Sequence, residues 1–355
     1  MPPTCAKAHR HTNRNDTMEN INTLHQFLQA AGVQYQAFDL GRRVTPLDPI
    51  EFAQVESLST AYPYPRNGHA WLGLLFWNQG LSKDHYIWFI KLPLDEMGKL
   101  NPAARSQFLQ TVIDALGENP TAPMTEEKQQ QLKSNPFIFT PPQEKLAVFH
   151  ALVNKQLARP ASIYFEHCQS YLQGQMDWDN WQQIGLQGLA DVMARPTTEM
   201  LDKHLPQAIE QMPPQPLAAF ASVAENFKAS DAMANSWLAL MADGSNDTIN
   251  QMALRGLAGH PQHLSTAIKL ALPHASADTL VIIAARGWLA LNDAELLMNY
   301  LEQLAKQDHQ LFIGLYSDLV SMPSLRQQVL TNIRRPDRSA ELTAAIGQLM
   351  QTLGA

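Results

Sequence analysis

The hydrophobic positions of this chain follow two different periods, and the change between them divides the sequence into two parts. From residue 181 to residue 353, apolar side chains recur at spacings of three and four, which is typical of amphipathic helices. Such segments are separated by prolines, which forbid helix continuation on their N-terminal side, at positions 196, 213, 261, 273 and 323. The pattern predicts about a dozen short helices.

Connections as short as these force neighbouring helices to run antiparallel, and a stack of such pairs forms a helical-repeat solenoid. Weak repetition favours this arrangement, because RGLA at 255–258 and RGWLA at 286–290 begin 31 residues apart. The tetratricopeptide and ankyrin patterns are absent. The sequence therefore leaves two alternatives, a degenerate solenoid or an irregular helical bundle.

Several local signals place individual helices. One helix is predicted around residues 181–193, and another, apolar nearly all round and therefore buried on both sides, at residues 280–291. Glycines at 188, 256 and 287 lie on or beside apolar stripes and predict close helix approach. Side chains that suit helix N-termini stand at Ser230, Asn246, Ser276 and Asn292, the last with Glu295 in a capping-box pattern.

The front part combines helix and strand patterns. Residues 70–77 and 86–92 are rich in aromatic and branched side chains and flank a polar loop, which predicts an antiparallel hairpin. Helices are predicted before Gly32, from Asp48-Pro49 and from Asn101-Pro102. The predicted fold is an α+β N-terminal domain, a small antiparallel sheet with helices, followed by an all-α helical-repeat-like domain.

The predicted boundaries follow from composition. Residues 1–19 are polar and basic and predict a disordered leader, with Met18 as a candidate translational start. The α+β domain covers residues 20–117, and residues 118–139, rich in Pro, Gln, Lys and Glu, are predicted to be a linker. The helical array covers residues 140–355.

Charge and hydropathy exclude several classes of protein. The net charge of −7 argues against a protein that grips nucleic acid through its phosphates, although the basic leader leaves an electrostatic arm as an alternative. The sequence contains no run of eighteen apolar residues, so no membrane-spanning helix is predicted. Two cysteines, Cys5 and Cys168, cannot form a disulfide framework and fit a reducing compartment, so we expect a cytoplasmic protein.

Candidate chemistry is sparse. His260 and His263 share a helix edge at a spacing that can bind one metal ion, but no acidic residue is near them in sequence, so a helix-end role is the simpler interpretation. Asp177 to Trp181 lacks the glycine and distal glutamate of a calcium loop and suits a helix N-terminus. Cys168 next to His167 is interpreted as a partly buried cysteine. We therefore predict no catalytic residue, no metal site and no cofactor.

One group of residues suggests a binding surface. If the turns at 41–43 and 66–68 lie at the same end of the sheet, they form a cationic rim beside aromatic side chains, made of Arg42, Arg43, Arg66 and His69 with Trp71 and Trp77. The alternative is that the tryptophans belong to the core and the arginines are merely solvated.

Three segments carry a resemblance to known proteins: residues 38–43 (FDLGRR), 63–71 (PYPRNGHAW) and 88–95 (WFIKLPLD). With these motifs the chain resembles, from Met18 onward, a bacterial family of uncharacterised proteins that form a domain of unknown function. The resemblance implies no activity and carries over no functional residue.

Two functional hypotheses follow. The first is a non-catalytic adaptor or scaffold whose helical array presents a concave groove to an unidentified protein partner. The alternative is an enzyme or a binder of an anionic small ligand that uses the cationic rim, which requires a concave pocket there. Neither nucleic acid nor a membrane is an expected partner, and the sequence does not define an oligomeric state.

Overall fold

The structure is a computed structural model that describes residues 21–78, 84–116, 126 and 134–353. The predicted leader at 1–19 lies outside the described residues, as does most of the predicted linker at 118–139.

The front part contains a four-stranded antiparallel sheet in the order β2-β1-β3-β4. Its strands are β1 (Gln34–Asp39), β2 (Thr45–Pro46), β3 (His69–Trp77) and β4 (His85–Pro93), and its helices are α1 (Leu24–Ala30), α2 (Pro49–Glu56) and α3 (Pro102–Leu116). Strands β3 and β4 pair along their whole length, from His69 opposite Pro93 to Trp77 opposite His85. The predicted hairpin and the predicted α+β class are both confirmed.

The ends of these helices follow from local chemistry. Asp48 is the N-cap of α2, and its Oδ1 accepts hydrogen bonds from the backbone N–H groups of Ile50 and Glu51. Gly32 follows α1 with a φ of +68°, a left-handed conformation that favours glycine after a helix.

The two faces of the sheet pack against different parts of the chain. Because side chains alternate between faces along a strand, Leu72 and Leu74 of β3 join a core formed with α1, α2 and α3. Leu75 of β3 and Phe38 of β1 point the other way and join the core of the helical part. One continuous core therefore contains side chains from both parts of the chain.

Gly73 of β3 permits a close approach between the sheet and the helical part. A Cβ atom at this position would lie 2.7 Å from Cε2 of Phe149, whose buried ring packs edge-on against Phe38 and Phe89. Any larger side chain at this position therefore requires the rings and methyl groups around it, those of Phe149 and Leu40, to shift.

The second part is helical. Between residues 140 and 353, all of which are described, the chain forms helices and turns and no strand. The α-helices are α4 (Gln143–Gln156), α5 (Phe165–Leu172), α6 (Leu186–Ala194), α7 (Leu205–Gln211, preceded by a π-helical turn Met200–His204), α8 (Pro214–Ala224), α9 (Asp231–Met241), α10 (Asp247–Gly256), α11 (Pro261–Ala271), α12 (Ala277–Arg286), α13 (Ala294–Leu304), α14 (His309–Ser321), α15 (Arg326–Asn332) and α16 (Ala340–Leu353).

Alternate helices contact one another, which arranges this part in two layers. In the first layer, α4 contacts α6, and the contacts continue through α8, α10, α12 and α14 to α16. In the second layer, α7 contacts α9, α9 contacts α11 and α13 contacts α15. None of the helices in the described part of the chain has the length and apolar character that crossing a bilayer requires.

Close packing between the layers depends on small residues. A Cβ atom on Gly256 would lie 2.2 Å from Cε2 of the buried Trp237, and one on Gly188 would lie 2.9 Å from Cβ of Cys168. The predicted close approach at these two glycines is confirmed.

Three of the four predicted N-caps are confirmed, and the fourth is wrong. The side chains of Ser230, Asn246 and Ser276 each accept a hydrogen bond from the third residue after them. Helix α13 is capped by Asp293 instead of Asn292, because Asp293 Oδ1 accepts from the backbone N–H of Leu296.

Two predicted helices differ from the structure. The helix expected at 181–193 is broken at Ile184 and Gly185, which are extended, so that a 3₁₀ helix at Trp178–Gln183 precedes α6. The helix expected at 280–291 ends at Arg286, and Leu289 beyond it is 48% exposed. In both cases apolar residues in a turn happen to continue the three- and four-residue spacing of the helix, so the predicted helix is too long. The glycines at 185 and 287 mark where the helices are interrupted.

Candidate functional site

The turn between β1 and β2 is organised around one buried carboxylate. Asp39 is 1% exposed and accepts hydrogen bonds from the backbone N–H groups of Gly41, Arg42 and Arg43, at 3.0, 3.0 and 3.3 Å. It also accepts from the hydroxyl of Tyr62 at 2.7 Å. These four donors fix the backbone, so that two consecutive arginines leave the sheet in defined directions.

Arg42 reaches into the first helical layer. Its Nη2 lies 2.9 Å from Oδ1 of Asp318 in the last turns of α14, and its Nη1 lies 3.5 Å from the carbonyl oxygen of Ala284 near the end of α12. Its Nε donates to the carbonyl oxygen of Pro65 at 2.9 Å. The side chain is 3% exposed, so this is a buried, fully engaged cation.

Arg43 and Val44 make equivalent contacts with two neighbouring helices. Arg43 Nη1 donates to the carbonyl oxygen of Ala258, just after α10, at 2.7 Å. The backbone N–H of Val44 donates to Oδ1 of Asn226, just after α8, at 2.7 Å. Because the C-terminal end of a helix carries partial negative charge, it is a favourable place for a guanidinium group. The turn is thus held by the C-terminal ends of α8, α10, α12 and α14.

Lys145 of α4 reaches the same turn from the other side. Its Nζ donates to the backbone carbonyl oxygens of Leu40 and Gly41, the latter at 2.7 Å. Burial, together with the positive charge of Arg286, lowers the pKa of Lys145 to about 7, although Asp39 acts in the opposite direction. This amine is therefore poised to change its charge near neutral pH.

A cavity of about 590 Å³ lies between this turn and the first layer, and we call it the junction cavity. Its apolar wall comes from α12 and α14 and includes Val281, which is 39% exposed for that reason. Five cationic side chains line it against three carboxylates: Arg42, Arg66, Lys145, Arg255 and Arg286 against Glu144, Glu225 and Asp318. The lining therefore contains two more positive than negative groups when Lys145 is protonated, and one more when it is neutral.

One carboxylate serves two of these arginines. Glu225 Oε1 lies 2.8 Å from Nη2 of Arg286, and its Oε2 lies 3.3 Å from Nε of Arg255. Glu225 is 5% exposed, while the side chains of Arg255 and Arg286 are 36% and 14% exposed. A single negative charge therefore balances two guanidinium groups, and the Nε of Arg286 is buried without a hydrogen-bond partner among the described residues.

Arg66 completes the cationic side of the cavity. Its Nη1 donates to the carbonyl oxygen of Gly41 at 3.3 Å, and its guanidinium carbon lies 5.6 Å from the ring centre of Trp71. Burial and the nearby positive charges of Arg286 and Arg42 lower the pKa of Arg66. Within the described part of the chain, no carboxylate lies within ion-pair distance of Arg66.

The structure brings together part of the predicted rim. Arg42 and Arg66 line the junction cavity, and Arg43 lies beside it. His69 and Trp71 are at the same end of β3 but outside the cavity lining, and Trp71 donates its indole N–H to the carbonyl oxygen of Arg66.

Trp77 and the buried arginines depart from the sequence expectations. Trp77 lies at the opposite end of β3, opposite His85, so it is not beside the rim. Arg42 is 2% exposed and Arg43 is half-buried, so the alternative of merely solvated arginines is wrong for these two residues.

Sequence reasoning missed the half of the site that the helices supply, namely Lys145, Glu225, Arg255, Arg286 and Asp318. A signal for two of them was present, because Arg255 and Arg286 begin the repeated segments RGLA and RGWLA. The structure places these arginines at the ends of consecutive first-layer helices, where both meet Glu225.

The remaining candidates from the sequence have structural roles or lie elsewhere. Cys168 is buried, and burial raises the pKa of its thiol to about 12, which leaves it protonated and unreactive. Asp177 caps the 3₁₀ helix Trp178–Gln183 by accepting from the backbone N–H of Asp179. His260 and His263 lie on the second layer, away from the junction cavity.

Fold and site together define a two-part protein: a small α+β module whose turn closes on the first layer of a helical array, with a charged cavity at the junction. The chain belongs to the family described as "Protein of unknown function (DUF3549)", whose model matches residues 19–350. The resemblance inferred from the three sequence motifs is thereby confirmed. The same comparisons matched the chain to no curated protein and to no solved structure.

Proposed function

We propose that this protein binds a small, multiply charged anion in the junction cavity. The observation that carries the proposal is the arrangement of Arg66, Lys145, Arg255 and Arg286 around a common space. Three carboxylates share this lining, and one of them, Glu225, is divided between Arg255 and Arg286. Guanidinium groups recognise carboxylate and phosphate oxygens in bidentate fashion, and a partly enclosed site strengthens such contacts.

The size and lining of the cavity support a ligand of metabolite size. A volume of about 590 Å³ falls within the ordinary range of roughly 300–1,000 Å³ for small-molecule sites. The apolar wall contributed by α12 and α14, which includes Val281, Ile282 and Leu315, suits a ligand with a short carbon skeleton between its charged groups. A di- or tricarboxylate or a phosphorylated metabolite has this combination.

The adaptor hypothesis has less support. The alternating helix contacts favour the interpretation of the array as a solenoid, in which a partner binds along one layer. However, residues Asn226, Ala258, Ala284 and Asp318 of the first layer already bind the β1–β2 turn of the same chain. A protein partner at that place must displace the turn, and no contact in the described residues favours such a partner.

The proposal is tested by measuring binding of two probe anions, citrate and inorganic pyrophosphate, by isothermal titration calorimetry and by thermal shift. Sodium chloride at matched ionic strength controls for screening. We expect a saturable increase in melting temperature with at least one probe at one equivalent per chain.

Two variants localise the effect. Arg66→Met removes a cavity cation that pairs with no carboxylate among the described residues, and Arg334→Met removes an exposed arginine outside the cavity. We expect the first to weaken binding of the probe anion by about tenfold or more and the second to preserve it. Equal responses of both variants, or no response of the wild type to either probe, contradict the proposal.

A further inference from the structure

Four side chains at the start of two second-layer helices form a cluster that is separate from the junction cavity. Asp231 is the first residue of α9 and Asn235 lies one turn later, while His260 is the N-cap of α11 and His263 is its third residue. No acidic residue lies near the two histidines in the sequence. The fold supplies one from 29 residues earlier in the chain.

The side chains of this cluster contact one another in the order Asp231, His260, His263 and Asn235. Nε2 of His260 lies 2.8 Å from Oδ1 of Asp231, and Nε2 of His263 lies 3.1 Å from Oδ1 of Asn235. The Nδ1 atoms of the two histidines face each other at 3.1 Å, with ring centres 4.2 Å apart and ring planes at 85°.

The partners of the two rings determine which nitrogen of each histidine carries the proton. A neutral imidazole carries one N–H, and an ionised carboxylate only accepts, so His260 donates from Nε2 to Asp231. His263 likewise donates from Nε2 to the amide oxygen of Asn235. In this arrangement both Nδ1 atoms present lone pairs to each other at 3.1 Å, and either a shared proton or a metal cation between them stabilises the contact.

We propose that His260 and His263 bind a divalent transition-metal ion of the kind that prefers imidazole, such as Zn²⁺, Ni²⁺ or Cu²⁺, through their Nδ1 atoms. With metal–nitrogen distances of about 2.0–2.1 Å, two nitrogens 3.1 Å apart subtend an angle of about 100° at the metal. This angle lies between those of tetrahedral and square-planar ligand sets, both of which these ions adopt.

Asp231 and Asn235 are positioning residues in this arrangement. Histidines that bind metals usually donate their other ring N–H to a carboxylate or carbonyl oxygen, which fixes the tautomer and the ring orientation. Both histidines have such a partner here. The side chain of His260 is 13% exposed and that of Asp231 is 85% exposed, so the cluster lies near the protein surface, where water molecules can complete the ligand set.

The test uses the tag-free full chain after treatment with a chelator, titrated with Zn²⁺ or Cu²⁺ alone. We expect one equivalent to bind by calorimetry, and the Cu²⁺ complex to show electron paramagnetic resonance couplings from two imidazole nitrogens. His263→Gln and His260→Asn are each expected to weaken Zn²⁺ binding by about tenfold or more. Asparagine at position 260 keeps a side chain that suits an N-cap, so a folding defect does not imitate the effect.

Controls separate this site from other histidines. His274→Gln removes an exposed histidine outside the cluster, and His9→Gln with His11→Gln removes the two leader histidines. Both are expected to leave the affinity unchanged, whereas Asn235→Asp, which gives His263 a carboxylate partner, is expected to tighten binding. The proposal is overturned if no stoichiometric Zn²⁺ or Cu²⁺ binding occurs, or if it persists undiminished in both His260→Asn and His263→Gln.

Discussion

Arg42 and Arg66 both lie at the junction between the sheet and the helices, but they differ in the groups that bind their guanidinium ions. Arg42 is held by a carboxylate and two carbonyl oxygens and has almost no exposed surface. Arg66 has one long hydrogen bond to a carbonyl oxygen and an aromatic neighbour, and it lines a cavity. Arg42 therefore holds the two parts of the protein together, whereas Arg66 is available to bind a ligand.

The largest effect is expected from breaking the buried pair. Arg42→Ala leaves Asp318 without its cation, and removal of one partner of a buried ion pair costs about 3–5 kcal/mol in the free energy of unfolding. Urea denaturation followed by circular dichroism measures this loss. Asp318→Ala and the double variant complete a double-mutant cycle, and a coupling free energy near zero would show that the pair does not hold the junction.

An intermediate effect is expected from the apolar contact beside that pair. Gly73→Ala introduces a Cβ atom 2.7 Å from Cε2 of Phe149, and overpacking of this kind costs about 1–3 kcal/mol. The measurement is again the free energy of unfolding. If Gly73→Ala costs more than Arg42→Ala, the aromatic contact, and not the buried ion pair, dominates the junction.

A small effect on stability with a large effect on binding is expected at the cavity. Arg66→Met is expected to change the free energy of unfolding by less than about 1 kcal/mol, since the residue makes no ion pair among the described residues. Its affinity for the probe anion should fall by about tenfold or more, the size of a charge-assisted hydrogen bond. If Arg66→Met instead causes a large loss of stability, Arg66 has a structural role like that of Arg42.

The smallest expected effect is the uptake of a proton by Lys145 when the anion binds. Because the pKa of Lys145 is lowered to about 7, most of its amine is neutral at pH 8 in the free protein. A bound anion favours the charged amine and raises that pKa, so binding at pH 8 takes up to about one proton, and binding well below pH 7 takes none. Calorimetry in two buffers of different ionisation enthalpy measures the uptake. Lys145→Met serves as the control and should remove it, and uptake that persists in this variant assigns the proton to another group.

The sequence was most informative where local chemistry decides the structure. The alternation in residues 70–77 and 86–92 predicted the hairpin, and the side chains of Ser230, Asn246 and Ser276 predicted three N-caps, because strand faces and helix starts depend on neighbours in sequence. The breaks at Gly185 and Gly287 were missed because apolar side chains in a turn continue helical spacing by coincidence.

The candidate site was predictable only in part, for a different reason. The Arg42 and Arg66 turns lie close together in the sheet, so sequence reasoning could group them. Lys145, Glu225 and Arg286 join them only through the stacking of helices far along the chain, and no local pattern encodes that stacking. The second-layer cluster was missed for the same reason, since the fold brings Asp231 to His260 from 29 residues earlier in the chain.

The bond between Arg42 and Asp318 also sets an order for biosynthesis. The two residues are 276 positions apart, and at about 5–20 residues per second a ribosome needs roughly 15–55 s to make the intervening chain. During this interval the sheet can form and α4 can cover it, but the guanidinium of Arg42 stays hydrated without its carboxylate. The nascent N-terminal module therefore completes this contact only after the chain has been translated as far as Asp318.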